Sequence, residues 1–111
     1  METEDVIIAL SALAQETRLA IYRLLVEAGP TGLAVGRIGE ALALPSATLS
    51  FHLKELKHAG LVTAKRDGRS LVYSASFTAM NELIVFLTRN CCGGDMGACD
   101  LPGMTAPGAK A

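Results

Sequence analysis

A chain of 111 residues, half of them hydrophobic, has the size of one domain and can bury a real core. No apolar run approaches the roughly 18 to 20 residues that a membrane-spanning helix needs, so we expect no membrane partner. The first ten residues, METEDVIIAL, are acidic where a secretory signal would be basic, so we expect a cytoplasmic protein. The net charge of −1 argues by itself against a nucleic-acid partner.

The charge is, however, unevenly distributed along the chain. Residues 1–53 carry a net charge of −3, residues 54–69 carry +3, and residues 70–111 carry −1. A local basic stripe matters more for phosphate binding than the total charge does. Charge alone does not distinguish this stripe from an ordinary solvated face. Its basic side chains are Lys54, Lys57, Lys65, Arg66 and Arg69.

The first part of the chain is predicted to be helical. Residues 4–14 are apolar around more than one helical stripe, so this helix needs a partner surface beyond one small core. Residues 17–28 repeat apolar side chains at helical spacing, and Gly29-Pro30 ends that helix. A third helix is expected over residues 34–42, and residues 43–45 form a tight turn into a fourth.

That fourth helix lies in residues 45–62, PSATLSFHLKELKHAGLV, and is predicted to be the recognition helix of a helix-turn-helix. Leu49, Leu53 and Leu56 recur at i, i+4 and i+7 and share one stripe. Ser46 is a good first residue and Gly60 a good stop. The other face offers small residues, hydroxyls, an aromatic ring and cations, which suit a DNA major groove. The residues predicted to face DNA are Ser46, Ala47, Thr48, Ser50, Phe51, His52 and Lys54. Of these, His52 lies on the flank and is expected to hydrogen-bond either structure or a phosphate.

After Gly60 the apolar period changes from helical to two. The segments LVTAKR and SLVYSAS flank Asp67-Gly68, which is a strong β-hairpin signal. Lys65, Arg66 and Arg69 cluster at the tip and are predicted to contact backbone phosphates. A basic hairpin directly after a recognition helix indicates the wing of a winged helix.

Residues 77–89 are predicted to form a last helix, which is again more apolar than one small core requires. The simplest account is that the first and last helices form a symmetric dimer interface. Such a dimer would present two recognition helices to a palindromic operator about one helical turn apart. The predicted interface residues are Val6, Ile7, Leu10, Leu83, Ile84 and Leu87.

These elements predict a mainly α fold with a small β-hairpin. It is a homodimeric winged helix-turn-helix of order α-α-α-α-β-β-α, occupying residues 1–90. Residues 91–111 have five glycines, two prolines and no apolar period, and are expected to form a flexible tail.

The segments LSALAQETRLAIYRLL, ATLSFHLKELKHAGLV and KRDGRSLVYS closely resemble the ArsR/SmtB family of metal-sensing repressors. The resemblance implies a winged-helix homodimer that binds operator DNA and releases it when a metal or metalloid binds. Ala34 and Gly36 stand where arsenic-sensing relatives often carry a Cys-Val-Cys motif. Residues 77–89 contain none of the His and Asp pairs of zinc-sensing relatives. Any inducer site must therefore lie elsewhere, and some members of the family use cysteines just after the last helix.

All three cysteines, Cys91, Cys92 and Cys99, lie in the tail. Thiolates are soft ligands, and three of them suit trivalent arsenic or antimony, which forms three bonds in a pyramid. Gly93, Gly94 and Gly97 would let the tail fold back to bring in Cys99. A structural zinc would need a fourth ligand that the tail does not supply well. We therefore expect As(III) or Sb(III) as the inducer, and no organic cofactor.

Other uses of these thiols remain open. Cd(II), Pb(II) or Cu(I) could bind the same cysteines. A redox sensor could pair Cys99 with either adjacent cysteine, whereas Cys91 with Cys92 would close a strained ring. The thiols could also be incidental, and the winged helix could sense no ligand and serve only as an interaction module. A thiol reductase or arsenate reductase is not expected, because the chain has no Cys-x-x-Cys and no phosphate-binding glycine loop.

Overall fold

The computed structural model describes residues 1–94. They form five α-helices, three β-strands and a short 3-10 turn. All the predicted helices and both strands of the hairpin are present, with ends close to those expected. In chain order the elements are α1 Thr3–Leu13, α2 Glu16–Ala28, β1 Leu33–Ala34, α3 Val35–Leu42, α4 Ser46–His58, β2 Val62–Asp67, β3 Ser70–Ala75, α5 Phe77–Thr88 and the 3-10 turn Cys91–Gly94.

The sheet contains one strand more than the predicted hairpin. β1 pairs antiparallel with β3, so that Leu33 lies opposite Tyr73, and the strand order is β1-β3-β2. Gly32 leads into β1 with a φ of +72°, and a Cβ at this position would collide with the carbonyl oxygen of Tyr73. Glycine is therefore required where the chain turns closely against β3. The added strand fastens the start of α3 to the base of the wing.

The core is built around α4. Leu49, Leu53 and Leu56 are almost completely buried, which confirms the predicted stripe. Side chains from neighbouring elements complete the fully buried centre together with them. The largest fully buried side chains are Ile21, Leu25, Ile38, Leu49, Leu53, Leu56 and Leu61. Because these residues come from α2, α3, α4 and the start of the wing, the core holds the recognition helix against the rest of the domain.

Both ends of α4 are fixed by turns. Before it, Ala43 adopts a left-handed conformation with φ 54°, and the Leu44 amide donates to the Gly39 carbonyl at 3.0 Å. After it, Gly60 has a φ of +78°, and the Leu61 amide donates to the Leu56 carbonyl at 3.0 Å. This arrangement satisfies carbonyls that a helix end would otherwise leave without partners. The expected tight turn and the expected stop at Gly60 are confirmed.

α1 and α5 each turn one apolar stripe inward and leave another in solvent. Val6 and Leu83 are buried within the single chain, so placing them on an accessible dimer face was wrong. Ile84 is half-buried. Two exposed residues, Ile8 and Val85, were missed. We call the exposed set the apolar face: Ile7, Ile8, Leu10, Val85 and Leu87.

No helix in residues 1–94 is long and apolar enough to cross a membrane. The expected flexibility of the tail beyond Gly94 concerns residues outside the described part of the chain.

Candidate nucleic-acid interface

α4 presents the side chains expected of a recognition helix on the side away from its leucines. Ser46, Ala47, Thr48, Ser50 and Lys54 are all exposed. Phe51 keeps 55% of its surface in solvent, as the helical wheel predicted. An exposed phenylalanine among hydroxyls and a lysine gives this surface both apolar and polar contacts for base edges.

The first turn of α4 adds backbone donors. Pro45 occupies the N-cap position and supplies no side-chain hydrogen bond to the helix. The amides of the first helical residues therefore lack the side-chain acceptor that a serine or aspartate cap would provide. Such amides, together with the helix dipole, favour a phosphate oxygen at this end.

His52 does not belong to this surface, so its place among the DNA-facing residues was wrong, whereas the alternative of a hydrogen bond to structure is confirmed. Only 9% of its surface is exposed. Its Nδ1 lies 3.2 Å from Nη1 of Arg18 on α2. Burial lowers the pKa of His52, the guanidinium of Arg18 lowers it further, and the carboxylate of Glu55 acts in the opposite direction. His52 is thus a neutral interior group under the recognition helix.

The wing is a tight two-residue hairpin. Asp67 pairs with Ser70, which leaves Gly68 and Arg69 as the loop, and Gly68 has a φ of +64°. Lys65, Arg66 and Arg69 are all exposed. Because successive side chains of a strand point to opposite faces, Lys65 and Arg66 cannot contact the same phosphate from the same side.

A groove of about 600 Å³ lies between α4 and the wing. Lys54 and Lys57 border it from α4, and Arg69 borders it from the wing. No acidic residue among the described ones lines it. Lys57 was not among the predicted site residues, although it stands three positions after Lys54 and therefore on the same helical face. Ala34 and Gly36 also line this groove, so the positions that carry thiols in some relatives are here occupied by small residues.

The basic side chains of this surface are not neutralised within the part of the chain that the structure describes. The two salt bridges among residues 1–94 join Arg23 to Glu27 and Arg37 to Glu40, and neither involves α4 or the wing. The positive charge of α4 and the wing is therefore available to an external anion.

The cysteines follow α5 directly. The 3-10 turn Cys91–Gly94 begins shortly after the helix ends, and Asn90, Cys92 and Gly93 all have positive φ values. Cys91 is half-buried and Cys92 is exposed. Within the described residues no group of three His, Cys, Asp or Glu side chains is placed to hold a metal ion. Cys99 lies outside those residues, so the three-thiol site stays a prediction.

Known regulators of transcription share this architecture. A family model described as a helix-turn-helix domain matches residues 13–64. The transcriptional activator HlyU of Vibrio cholerae is 33% identical over 86 residues, which cover 78% of this chain and 77% of HlyU. An ArsR-like transcriptional regulator from Rhodococcus sp. RHA1 superposes with a TM-score of 0.69 at 26% identity, over 78% of each chain. The chain belongs to the ArsR/SmtB-type family of winged helix-turn-helix transcriptional regulators.

Other solved structures agree. HlyU superposes with a TM-score of 0.65 at 32% identity, over 83% of this chain and 99% of that one. A structure described as reduced HlyU superposes with a TM-score of 0.64 at 31% identity, over 81% of this chain and 92% of that one. Mb0332 from Mycobacterium bovis, described as a homodimeric winged helix-turn-helix DNA-binding domain, gives 0.64 at 29% identity, over 77% of each chain. The chain is accordingly a regulator of transcription and not an enzyme.

Proposed function

We propose that this chain is a cytoplasmic transcriptional repressor that binds palindromic operator DNA as a homodimer. Its inducer is As(III) or Sb(III), bound by Cys91, Cys92 and Cys99. The observation that carries the DNA-binding part is the groove between α4 and the wing, which three cations and no carboxylate of the described residues border. The inducer part rests on the chemistry of the thiols and on their position after α5.

DNA binding follows from the shape and charge of α4. An α-helix fits the major groove, where Ser46, Ser50 and Phe51 would meet base edges and Phe51 could pack on a thymine methyl. Lys54, Arg69 and the other wing cations would meet phosphates beside the groove. Phosphate contacts fix the register of the helix, and base contacts supply the sequence preference.

Dimerisation follows from the apolar face. Its five large side chains are exposed in the single chain, and covering them with a second copy removes them from water. The relative Mb0332 is described as homodimeric, which supports the same assembly here. A two-fold dimer would place its two α4 helices at half-sites about 34 Å apart.

Three soft thiolates fit the pyramidal preference of As(III) and Sb(III), and need no histidine or carboxylate. Cys91 and Cys92 follow a helix that contributes Val85 and Leu87 to the apolar face. An ion that ties the tail together there would change how α5 packs in the dimer, and hence the spacing of the two α4 helices. A coupling of about 3 kcal/mol would lower DNA affinity roughly a hundredfold.

A thiol redox switch is the second candidate. It is favoured by the likeness to HlyU, for which one solved structure is described as reduced. Oxidation would join Cys99 to one of the adjacent cysteines and constrain the same segment after α5. Cd(II), Pb(II) and Cu(I) are alternative soft ions for the same thiolates.

The DNA-binding part is tested by selecting duplexes from a random library with the purified chain. The selected duplexes should contain an inverted repeat and bind with an affinity that falls steeply with salt. Selection of no duplex, or of sites without two-fold symmetry, would overturn this part. Deleting the gene should raise transcription beside the selected site, and a fall in transcription would make the chain an activator.

The inducer part needs a panel of ligands on the selected duplex. As(III) or Sb(III) should release the DNA, and Cys91→Ser, Cys92→Ser and Cys99→Ser variants should bind the duplex normally but ignore the ion. Zn(II), Cd(II), Pb(II), Cu(I) and hydrogen peroxide form the comparison set. Release by peroxide and not by As(III) would replace the metalloid proposal with the redox one, and variants that still respond would remove the tail as the sensor.

A further inference from the structure

One side chain joins α1 to the recognition helix. The Arg18 amide donates to Oε1 of Gln15 at 2.8 Å, which fixes the start of α2. The Arg18 Nε donates to the Ala12 carbonyl at 2.7 Å, in the last turn of α1. The Nη1 of the same guanidinium lies 3.2 Å from Nδ1 of His52, in the middle of α4. The guanidinium thus connects the end of α1 to a helix far along the chain.

The chemistry of this contact fixes the state of the imidazole. A guanidinium can only donate, so Nδ1 of His52 must accept and the proton of the neutral ring lies on Nε2. A protonated ring would have no acceptor to offer and would place a second positive charge against Arg18. The contact therefore exists only while His52 is neutral.

The imidazole also contacts the outward side of α4. The rings of His52 and Phe51 lie 5.1 Å apart between centroids, at an interplanar angle of 64°. This edge-to-face arrangement is a preferred one for aromatic rings. The orientation of the buried ring consequently influences the exposed ring on the surface proposed to read DNA.

The other end of the connection reaches the apolar face. A cavity of about 300 Å³ is lined by Ile7 and Ile8 of α1, by Arg18, and by Glu55 and His58 of α4. Ile7 and Ile8 belong to the surface on which a second copy would dock. The charged or titratable groups that line this cavity are Arg18 of α2 and Glu55 and His58 of α4, and of these Arg18 and Glu55 act on the charge of His52.

We propose that Arg18 and His52 are positioning residues that hold α4 in the orientation needed for DNA, relative to the α1 helix of the dimer face. The proposal rests on the proposed function, since it assumes that α4 reads DNA. Neither side chain touches DNA itself. Sequence-specific affinity should then require a neutral His52, and a change in the packing of α1 should reach α4 through the guanidinium.

The pH dependence of operator binding tests this directly. Below the ordinary histidine pKa of about 6.5, protonation of His52 should break the contact and lower affinity for a selected duplex about tenfold. The lowered pKa of His52 places this loss on the acid side of that value. His52→Asn keeps an acceptor oxygen near the position of Nδ1 but does not titrate. It should bind within about twofold of wild type at neutral pH and show no acid step.

Two variants remove the contact from either side. His52→Leu keeps the volume and loses the acceptor, and Arg18→Lys keeps the charge but cannot serve the Ala12 carbonyl and the imidazole together. Each should lower affinity for the selected duplex about tenfold, which corresponds to about 1.4 kcal/mol. Binding to an unrelated duplex at low salt should not change, because the phosphate contacts of the wing remain intact.

His58→Asn is the matched control, since His58 is exposed on the same helix. It should retain the acid step. The proposal is overturned if His52→Leu binds the selected duplex like wild type, or if His52→Asn keeps the acid step. If circular dichroism shows that His52→Leu does not fold, the comparison between the acid steps of wild type and His52→Asn tests the proposal instead. A wild type that selects no duplex would overturn the proposed function itself, whereas equal binding by wild type and the folded variants overturns only this inference.

Discussion

Two surfaces of this chain are open to solvent for opposite reasons. The surface of α4 and the wing carries five basic side chains, none of which forms a salt bridge within residues 1–94. The apolar face of α1 and α5 is the set of five exposed hydrophobic side chains, with Ile7 57% and Val85 60% exposed. The cations are well solvated in water, whereas the apolar side chains are not.

The difference indicates when each surface is covered. The cations are stable in water without DNA, and when DNA binds they displace the counterions around its phosphates. Large exposed apolar side chains are costly in a monomer and are best covered permanently, as in a homodimer. The permanent interface would then set the distance between the two DNA-reading surfaces of the dimer. Mutations of the apolar face and mutations of the basic surface should therefore impair DNA binding in different ways.

The largest effect is expected from charging the apolar face. In Ile7→Glu combined with Leu87→Glu, four carboxylates in the dimer would have to be buried without partners, so the chain should become monomeric. A monomer binds one half-site and loses the benefit of two linked contacts. Its affinity for a selected palindrome should fall about a hundredfold or more. Sedimentation equilibrium and fluorescence anisotropy on the same samples measure both quantities.

Leu19→Glu is the control for this change. Leu19 is 46% exposed on α2 and lies outside the apolar face. It should leave both the mass and the affinity as in wild type. A charged apolar face that remains dimeric would mean that the second copy docks elsewhere.

A smaller effect, of a different kind, is expected from the basic surface. Removing one cation should leave the dimer intact and lower the affinity for every duplex to a similar degree, about tenfold at moderate salt. The single variants are Lys57→Ala, Lys65→Ala and Arg69→Ala. Each lost phosphate contact lowers the slope of log affinity against log salt by about 0.9, hence roughly 2 per dimer. Anisotropy titrations across a salt series give the slope.

Arg23→Ala is matched to these variants in charge. Arg23 is exposed on α2, is paired with Glu27 at 3.2 Å, and does not line the groove between α4 and the wing. Its salt slope should equal that of wild type. Because Lys65 and Arg66 lie on opposite faces of β2, the slope should respond to one of them more than to the other. Equal slopes for wild type and all wing variants would remove the wing from the DNA contacts.

Sequence periodicity succeeded where one stripe of a helix is apolar and the other is not. Leu49, Leu53 and Leu56 are buried as expected. His52 fits the same i, i+3, i+4, i+7 pattern, so its burial could have been inferred from position had its polarity not been given more weight. Its partner Arg18 could not have been inferred, because the contact joins residues 34 apart in sequence.

Periodicity failed where nearly every position is apolar or where an element is very short. In α1 and α5 several stripes are hydrophobic, and no pattern shows which stripe packs on its own chain, so Val6 and Leu83 were placed outward. β1 has two residues, which is too short for an alternation, and it exists only because β3 is there to pair with it. Both errors concern contacts that the tertiary structure decides.

The smallest effect is expected at Phe51, the one large apolar side chain that α4 exposes. Its position on the basic surface predicts a contact with DNA. Its apolar side chain resembles those of the apolar face and predicts a contact with protein instead. If Phe51 packs on a thymine methyl, Phe51→Ala should lower the affinity for the selected duplex about fivefold, or about 1 kcal/mol. It should also relax the sequence preference at one base pair in each half-site. The dimer and the salt slope should not change.

Phe51→Leu, which keeps an apolar contact, should recover part of the affinity, and thermal melting should verify that the loss of the ring next to His52 leaves the fold intact. A variant that dissociates the dimer while its sequence preference persists would assign Phe51 to the protein interface, and the division between the two surfaces would have to be redrawn through α4.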